Sequence, residues 1–205
     1  MAIATTTPKK HSVEEYLARE VESDIRNEYR NGEIIPVTGG TPAHNEIIRM
    51  GVFLLTAALR KQPYSIFVTD QRLWIPEPDH YTYPDIMVTP RPPELRPGRK
   101  DTVMNPILII EVLSDSTEKF DRGDKFESYR SISTFQEYLL VAQEKPHVEQ
   151  YIKQAENQWL FMEYHDLNET FKLQSVNVTV IAQPSSQSDC CEVRAREMAS
   201  KADMP

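Results

Sequence analysis

Apolar residues recur along the chain at two spacings, and the switch between them marks out its elements. Ile47, Ile48, Val52, Leu55 and Leu59 fall on one helical face. Thr41 can cap that face and Pro42 can occupy its first turn, which predicts a core-packed helix over Pro42–Lys61. Ile107–Leu113 is apolar at every position except Glu111, the pattern of a central strand covered on both sides. Asp115–Arg130 reads as a helix opened by Asp115 or Ser116, with Gly123 weakening it by about 1 kcal/mol relative to Ala. Asn31-Gly32 predicts a tight hairpin over Asn27–Val37. Ser12 and Glu15 predict a capped short helix over Ser12–Leu17.

Shorter strand patterns fall at Ser65–Thr69, Arg72–Ile75, Pro84–Thr89, Glu137–Ala142, Val148–Lys153 and Gln158–Tyr164. Phe171–Leu173 and Asn177–Ile181 add a final hairpin. Pro76–Tyr83 carries the signals of a loop, and prolines at 90, 92, 93, 97 and 106 predict an irregular segment there. The mixture is that of an α/β (α+β mixed) domain. Over the 205 residues, 40% hydrophobic and 26% charged, we expect one domain over 1–183 and a polar tail over 184–205. No apolar run approaches the roughly 20 residues that cross a bilayer, and residues 1–10 lack a secretory pattern, so the expected location is the cytoplasm, with no membrane partner. The two cysteines, Cys190 and Cys191, are adjacent and suggest neither a disulfide framework nor a zinc site.

Net charge is −8, which argues against a protein that coats nucleic acid through its overall field. The imbalance is uneven: residues 131–205 hold 6 basic and 11 acidic groups, whereas residues 90–130 hold 8 of each. A locally basic groove is therefore compatible with the middle of the chain. Arg91, Arg96, Arg99, Lys100, Lys119 and Arg122 are its candidates.

Glu111 is the most informative residue. An unpaired carboxylate on a covered strand costs several kcal/mol, so a metal ion, a basic side chain or a proton must compensate it. Asp85, in Tyr83-Pro84-Asp85-Ile86, opens an earlier strand. If the two strands are neighbours the carboxylates converge, and a divalent cation between them relieves the repulsion. Oxygen-only ligands favour Mg²⁺ or Mn²⁺ over zinc. Taken singly, Asp85 also fits a turn carboxylate and Glu111 an arginine-paired glutamate.

Pro84-Asp85, the proline-rich interval, Glu111 within Ile110-Glu111-Val112-Leu113-Ser114, and then Asp121, Lys125 and Tyr129 at steps of four resemble the Uma-two family. That family groups restriction-endonuclease-like proteins within the PD-(D/E)XK nuclease superfamily. The likeness covers roughly Ser12–Ile181, including the Asn31-Gly32-Glu33 hairpin, His44 and Glu137-Tyr138-Leu139-Leu140-Val141. It implies a restriction-endonuclease-like central mixed sheet flanked by helices and a magnesium-dependent phosphodiesterase-like site. The partner it implies is nucleic acid, DNA ahead of RNA, and a homodimer is compatible with it. Asp85 and Glu111 would then hold Mg²⁺ or Mn²⁺ with the Val112 carbonyl as a further ligand, and no organic cofactor is expected.

One position departs from the superfamily pattern. The lysine expected two residues after the glutamate is Leu113 here. Thr117, Asp121, Lys125 and Tyr129 share a helical stripe, so Lys125 is the candidate substitute, against the plainer reading of an Asp121–Lys125 surface pair. Supporting candidates are Glu33, after the hairpin turn, His44 and Asp121. The positive helix end should keep the His44 ring neutral, free to bond a phosphate or a site carboxylate. The leading expectation is a metal-dependent endonuclease-like phosphodiesterase. Its rivals are a non-catalytic nucleic-acid-binding or regulatory module on the same fold and a metal-dependent hydrolase of a small phosphate ester.

Overall fold

The computed structural model describes residues 10–166 and 169–181. The tail expected over 184–205 lies outside the described residues. Helix α1 (Val13–Glu22) runs further than the expected Ser12–Leu17. It opens with a capping box in which Glu15 N donates to Ser12 Oγ (3.2 Å) and Ser12 N donates to Glu15 Oε2 (3.1 Å). Strands β1 (Asn27–Arg30) and β2 (Glu33–Pro36) form the hairpin. Asn31 (φ 51°) and Gly32 (φ 90°) take the left-handed conformations its turn demands. Helix α2 (Pro42–Ala58) is capped by Thr41.

Strands β3 (Tyr64–Val68) and β4 (Arg72–Ile75) follow, and then β5 (His80–Thr82), where a loop is expected. The prolines stop short of β5, and Trp74 Nε1 donates to Asp79 Oδ1 (2.7 Å) at the bend into it. β1 and β4 pair with β5 on either side and outweigh its weak local strand signal. Its Tyr81 is fully buried, 5.2 Å from the ring of Tyr16 and 6.1 Å from that of Tyr29. β6 (Ile86–Pro90) precedes the proline-rich segment, which is irregular as expected apart from the two-residue β7 (Thr102–Val103).

β8 (Leu108–Val112) is buried at every position. After it the chain becomes helical in three joined pieces: α3 (Glu118–Phe120), a π-helical turn (Asp121–Lys125) and α4 (Phe126–Arg130). β9 (Glu137–Val141), β10 (Val148–Ala155) and β11 (Gln158–Tyr164) complete the larger sheet, and β12 (Thr170–Leu173) with β13 (Val178–Ile181) form a separate hairpin.

The large sheet has the order β11-β10-β9-β8-β6-β3, with β8 and β9 parallel and the other neighbours antiparallel. The smaller sheet has the order β2-β1-β5-β4-β7. Alternation along β8 divides the core between two faces. Leu108, Ile110 and Val112 pack with Ile48 and Leu55 of α2 and with Phe171 and Leu173 of the hairpin. Ile109 and Leu113 pack on the opposite face with Tyr129, Phe135 and Tyr138 and with Leu73 and Ile75 of the smaller sheet. Glu111, two residues from each of Ile109 and Leu113, belongs to this second face.

Candidate active site

β6 and β8 run antiparallel with Ile86 opposite Ile110, so one residue further Asp85 lies beside Glu111. The two carboxylates interlock through the backbone: Asp85 N donates to Glu111 Oε2 (3.3 Å) and Val112 N donates to Asp85 Oδ2 (2.8 Å). A strand residue directs its N–H and C=O to the same side. The Val112 carbonyl therefore points to the same side of β8 as its N–H, the side of Asp85.

Glu111 is 2% exposed. Its Oε1 accepts the Tyr129 hydroxyl at 2.7 Å and lies 2.9 Å from the Lys125 ammonium. Lys125 also lies 3.3 Å from Asp121 Oδ1, and Tyr138 donates to the Asp121 carbonyl (3.1 Å). Lys125 and Asp121 are both buried, so the plain reading of a surface pair fails. The π-helical turn falls where these two side chains turn inward; such widenings recur at functional sites. Leu113 is a core residue, its N–H bonded to the Val141 carbonyl (2.8 Å) and its own carbonyl accepting Gln143 Nε2 (2.5 Å).

His44 comes from the first turn of α2, and its Nε2 sits 3.2 Å from Asp85 Oδ2. Thr41 Oγ1 accepts His44 N (3.1 Å) and donates to Gln143 Oε1 (2.7 Å), which ties the helix start to the end of β9. His44 thus bonds a site carboxylate, one of the two partners expected for it, and that hydrogen bond raises its pKa above the ordinary value, against burial.

Burial pushes the Glu111 carboxyl up to about 8, Lys125 opposes the rise, and Asp85 and Asp121 add to it. Burial also works against the Lys125 charge, yet Glu111, Asp121 and Glu28 outweigh it and hold the ammonium well above its ordinary pKa. Tyr129 and Tyr138 are raised by burial and then by the charge of Glu111, so they stay protonated as donors. Three carboxylates, those of Asp85, Glu111 and Asp121, thus gather with one lysine and one histidine. The carboxylate donors are all oxygens, which fits a hard divalent cation.

Asp85, Glu111, Asp121, Lys125 and His44 are brought together. Glu33 is not, because it stands exposed on β2 beside a separate cleft of about 620 Å³ lined by Arg30, His80, Phe120 and Asp124. Arg30 lies directly opposite Glu33 in the hairpin, so Glu33 has the right face but the turn end of it. Glu28, two residues nearer the site on that face, is the group whose charge reaches Lys125 and Tyr129, and it accepts the Thr82 hydroxyl. Strand alternation back from Arg30 is the signal that finds it. Thr117, on the expected stripe, instead bonds Ser114 Oγ at 2.9 Å.

The basic groove is corrected in part. Arg99 binds Asp101, Arg122 binds Glu118 and Glu149, Arg91 donates to the Tyr64 carbonyl, and Arg96 lies over the Trp74 ring at 5.0 Å. Exposed Lys100 and Lys119 have no ion pair among the described residues.

Residues 13–182 match the family model Uma2, whose description is "Putative restriction endonuclease". The chain belongs to the Uma2 family. Two Synechocystis relatives span most of its length. One, "Uncharacterized protein sll1609", is 42% identical over 163 residues, covering 80% of this chain and 91% of its own. The other, "Uncharacterized protein slr1290", is 34% identical over 173 residues, covering 83% and 88%. The fold is similar to the crystal structure of a "putative nuclease belonging to DUF820" from Anabaena variabilis. The TM-score is 0.66 at 19% identity, over 85% of this chain and 96% of that one. The Uma2 chain therefore has a nuclease-like α/β fold. Among its described residues no helix is long and apolar enough to cross a membrane.

Proposed function

We propose that this Uma2 protein is a divalent-metal-dependent, endonuclease-like phosphodiesterase acting on nucleic acid, with DNA the first substrate to test. The observation that carries the reading is the Asp85–Glu111 pair on adjacent strands, with a buried lysine held against Glu111 and Asp121. Asp85, Glu111 and the Val112 carbonyl would hold Mg²⁺ or Mn²⁺, which when bound polarises a phosphoryl oxygen and lowers the pKa of a water. Lys125 keeps its positive charge beside the carboxylates and supplies the electrostatic stabilisation that the residue at 113 cannot. Asp121 anchors the ammonium and Tyr129 fixes the Glu111 carboxylate. His44 holds Asp85, so its role is positioning.

Purified protein incubated with supercoiled plasmid, linear duplex and single strands in Mg²⁺ or Mn²⁺ should cut at least one of them, and Asp85→Asn should cut none. Failure of the wild type on all three would favour the non-catalytic binding module. The engaged arginines favour one further reading, hydrolysis of a small phosphate ester. Binding of a long phosphate backbone weakens steeply with salt, and a small substrate responds little.

A further inference from the structure

β10 and β11 form an antiparallel ribbon at one side of the large sheet, with Val148 opposite Tyr164 and Glu149 opposite Glu163. One residue further, the register sets His147 opposite His165. Residues two apart on a strand share a face, and so do residues directly opposite. His147-Val148-Glu149 and Glu163-Tyr164-His165 therefore place two histidines and two glutamates on one face, each strand supplying one of each.

Two glutamates directly opposite are unfavourable by themselves. Here Glu149 is already satisfied, with Arg122 on one oxygen and the Tyr151 hydroxyl on the other at 3.1 Å. Glu163 turns to His147, Oε1 to Nε2 at 3.1 Å, with Glu149 Oε1 at 3.7 Å from the same nitrogen, and the His147 ring stacks on that of His165 at 4.7 Å. One donor atom from each of His147, Glu163 and His165 lies within 4.8 Å of the others.

We propose that His147, Glu163 and His165 form a second metal site, selective for a transition metal of the zinc class. Two imidazole nitrogens and one carboxylate suit Zn²⁺, Co²⁺ or Ni²⁺ and not Mg²⁺, so the site is chemically distinct from the all-oxygen set at Asp85 and Glu111. Metal–ligand bonds of about 2.1 Å at tetrahedral angles hold donors about 3.4 Å apart, so the three must draw together. The anchor is His147, whose side chain is 8% exposed. Glu163, at 42%, and the exposed His165 have the freedom to swing towards it. Glu149 contributes negative charge beside the site without acting as a ligand.

The test uses the full chain carrying Cys190→Ser and Cys191→Ser, which removes the thiolates as competing ligands. It is titrated with Co²⁺ under visible absorption, and with Zn²⁺ against a chromophoric chelator, in saturating Mg²⁺. The expected result is a single Co²⁺ site with ligand-field bands and no thiolate charge-transfer band. Its affinity should fall by at least about tenfold in Glu163→Gln and in His165→Ala and be unchanged in Asp85→Asn. Both substituted positions are exposed, and circular dichroism checks that the variants fold. Absence of Co²⁺ binding, affinity in Glu163→Gln and His165→Ala equal to that of the chain without them, or loss only in Asp85→Asn would each overturn the proposal.

Discussion

Two neighbouring strands each bury a glutamate, and the chain treats the two in opposite ways. Glu137, on β9, is 0% exposed, and four donors meet its carboxylate. Gln150 Nε2 and Gln174 N (3.2 Å) reach Oε1, while Ser175 N (2.9 Å) and Ser175 Oγ (2.5 Å) reach Oε2. Glu111, on β8, is buried as deeply but shares its surroundings with Asp85 and Asp121 and is matched by one lysine. A carboxylate saturated by neutral donors is a fastener, and here it pins the chain between β12 and β13 to the sheet. A carboxylate crowded by others is strained electrostatically until a cation arrives. Burial alone separates neither case; the identity of the neighbours does.

The largest expected effect is on cleavage. Lys125→Ala should lower kcat by about 10² to 10³ while keeping Mn²⁺ binding, because the contact it removes matters most in the transition state. Lys119→Ala, on an exposed position of α3, should cleave like the wild type. The reverse outcome would name the wrong lysine.

Next in size is the stability contrast. Glu137→Gln sets an amide NH₂ against buried N–H and O–H donors and should cost about 2 to 4 kcal/mol in denaturant unfolding. Glu111→Gln also sets an amide against donors, those of Tyr129, Lys125 and Asp85, but it relieves the repulsion from Asp85 and Asp121, and without metal at neutral pH it should cost less than Glu137→Gln. Equal losses would erase the distinction between fastener and site.

The pH dependence sharpens the same point. The folded pKa of Glu111, about 8, lies above the ordinary 4.5, so the folded state holds this proton more tightly than the unfolded one. The resulting stabilisation is complete below about pH 4.5 and is lost as pH rises through 8, at up to about 1.4 kcal/mol per pH unit. Melting curves of metal-free wild type against Glu111→Gln across this window should show the wild type losing ground as pH rises. Mn²⁺ affinity should climb over the same window, because the ion displaces the proton. A pH-independent difference between the two proteins would contradict the shift.

Much of this site was legible in the sequence because its signals are local. A lone charge in an apolar strand exposes Glu111, a Pro-Asp strand opening exposes Asp85, and a stripe at steps of four exposes Asp121 and Lys125. What was not legible is non-local. The donors to Glu137 lie 37 and 38 residues downstream in Gln174 and Ser175, as well as on β10. β5 is a strand because β1 and β4 flank it, and the prolines just before it hide its short strand signal. Glu28 and Glu33 share a hairpin face, and only the direction in which the hairpin points decides which of them reaches Lys125. The arginines that resemble a phosphate groove in sequence bind acids and rings of their own fold.

The most direct test of the central claim is a calorimetric Mn²⁺ titration of wild type, Asp85→Asn, Glu111→Gln and Glu137→Gln at pH 8. The account predicts binding in the wild type and in Glu137→Gln and none in the other two. At an ion concentration near 100 times Kd, only the binding pair should gain stability, by about 2.7 kcal/mol. Equal Mn²⁺ affinity in all four proteins, or loss in Glu137→Gln alone, would contradict a cation site built on Asp85 and Glu111.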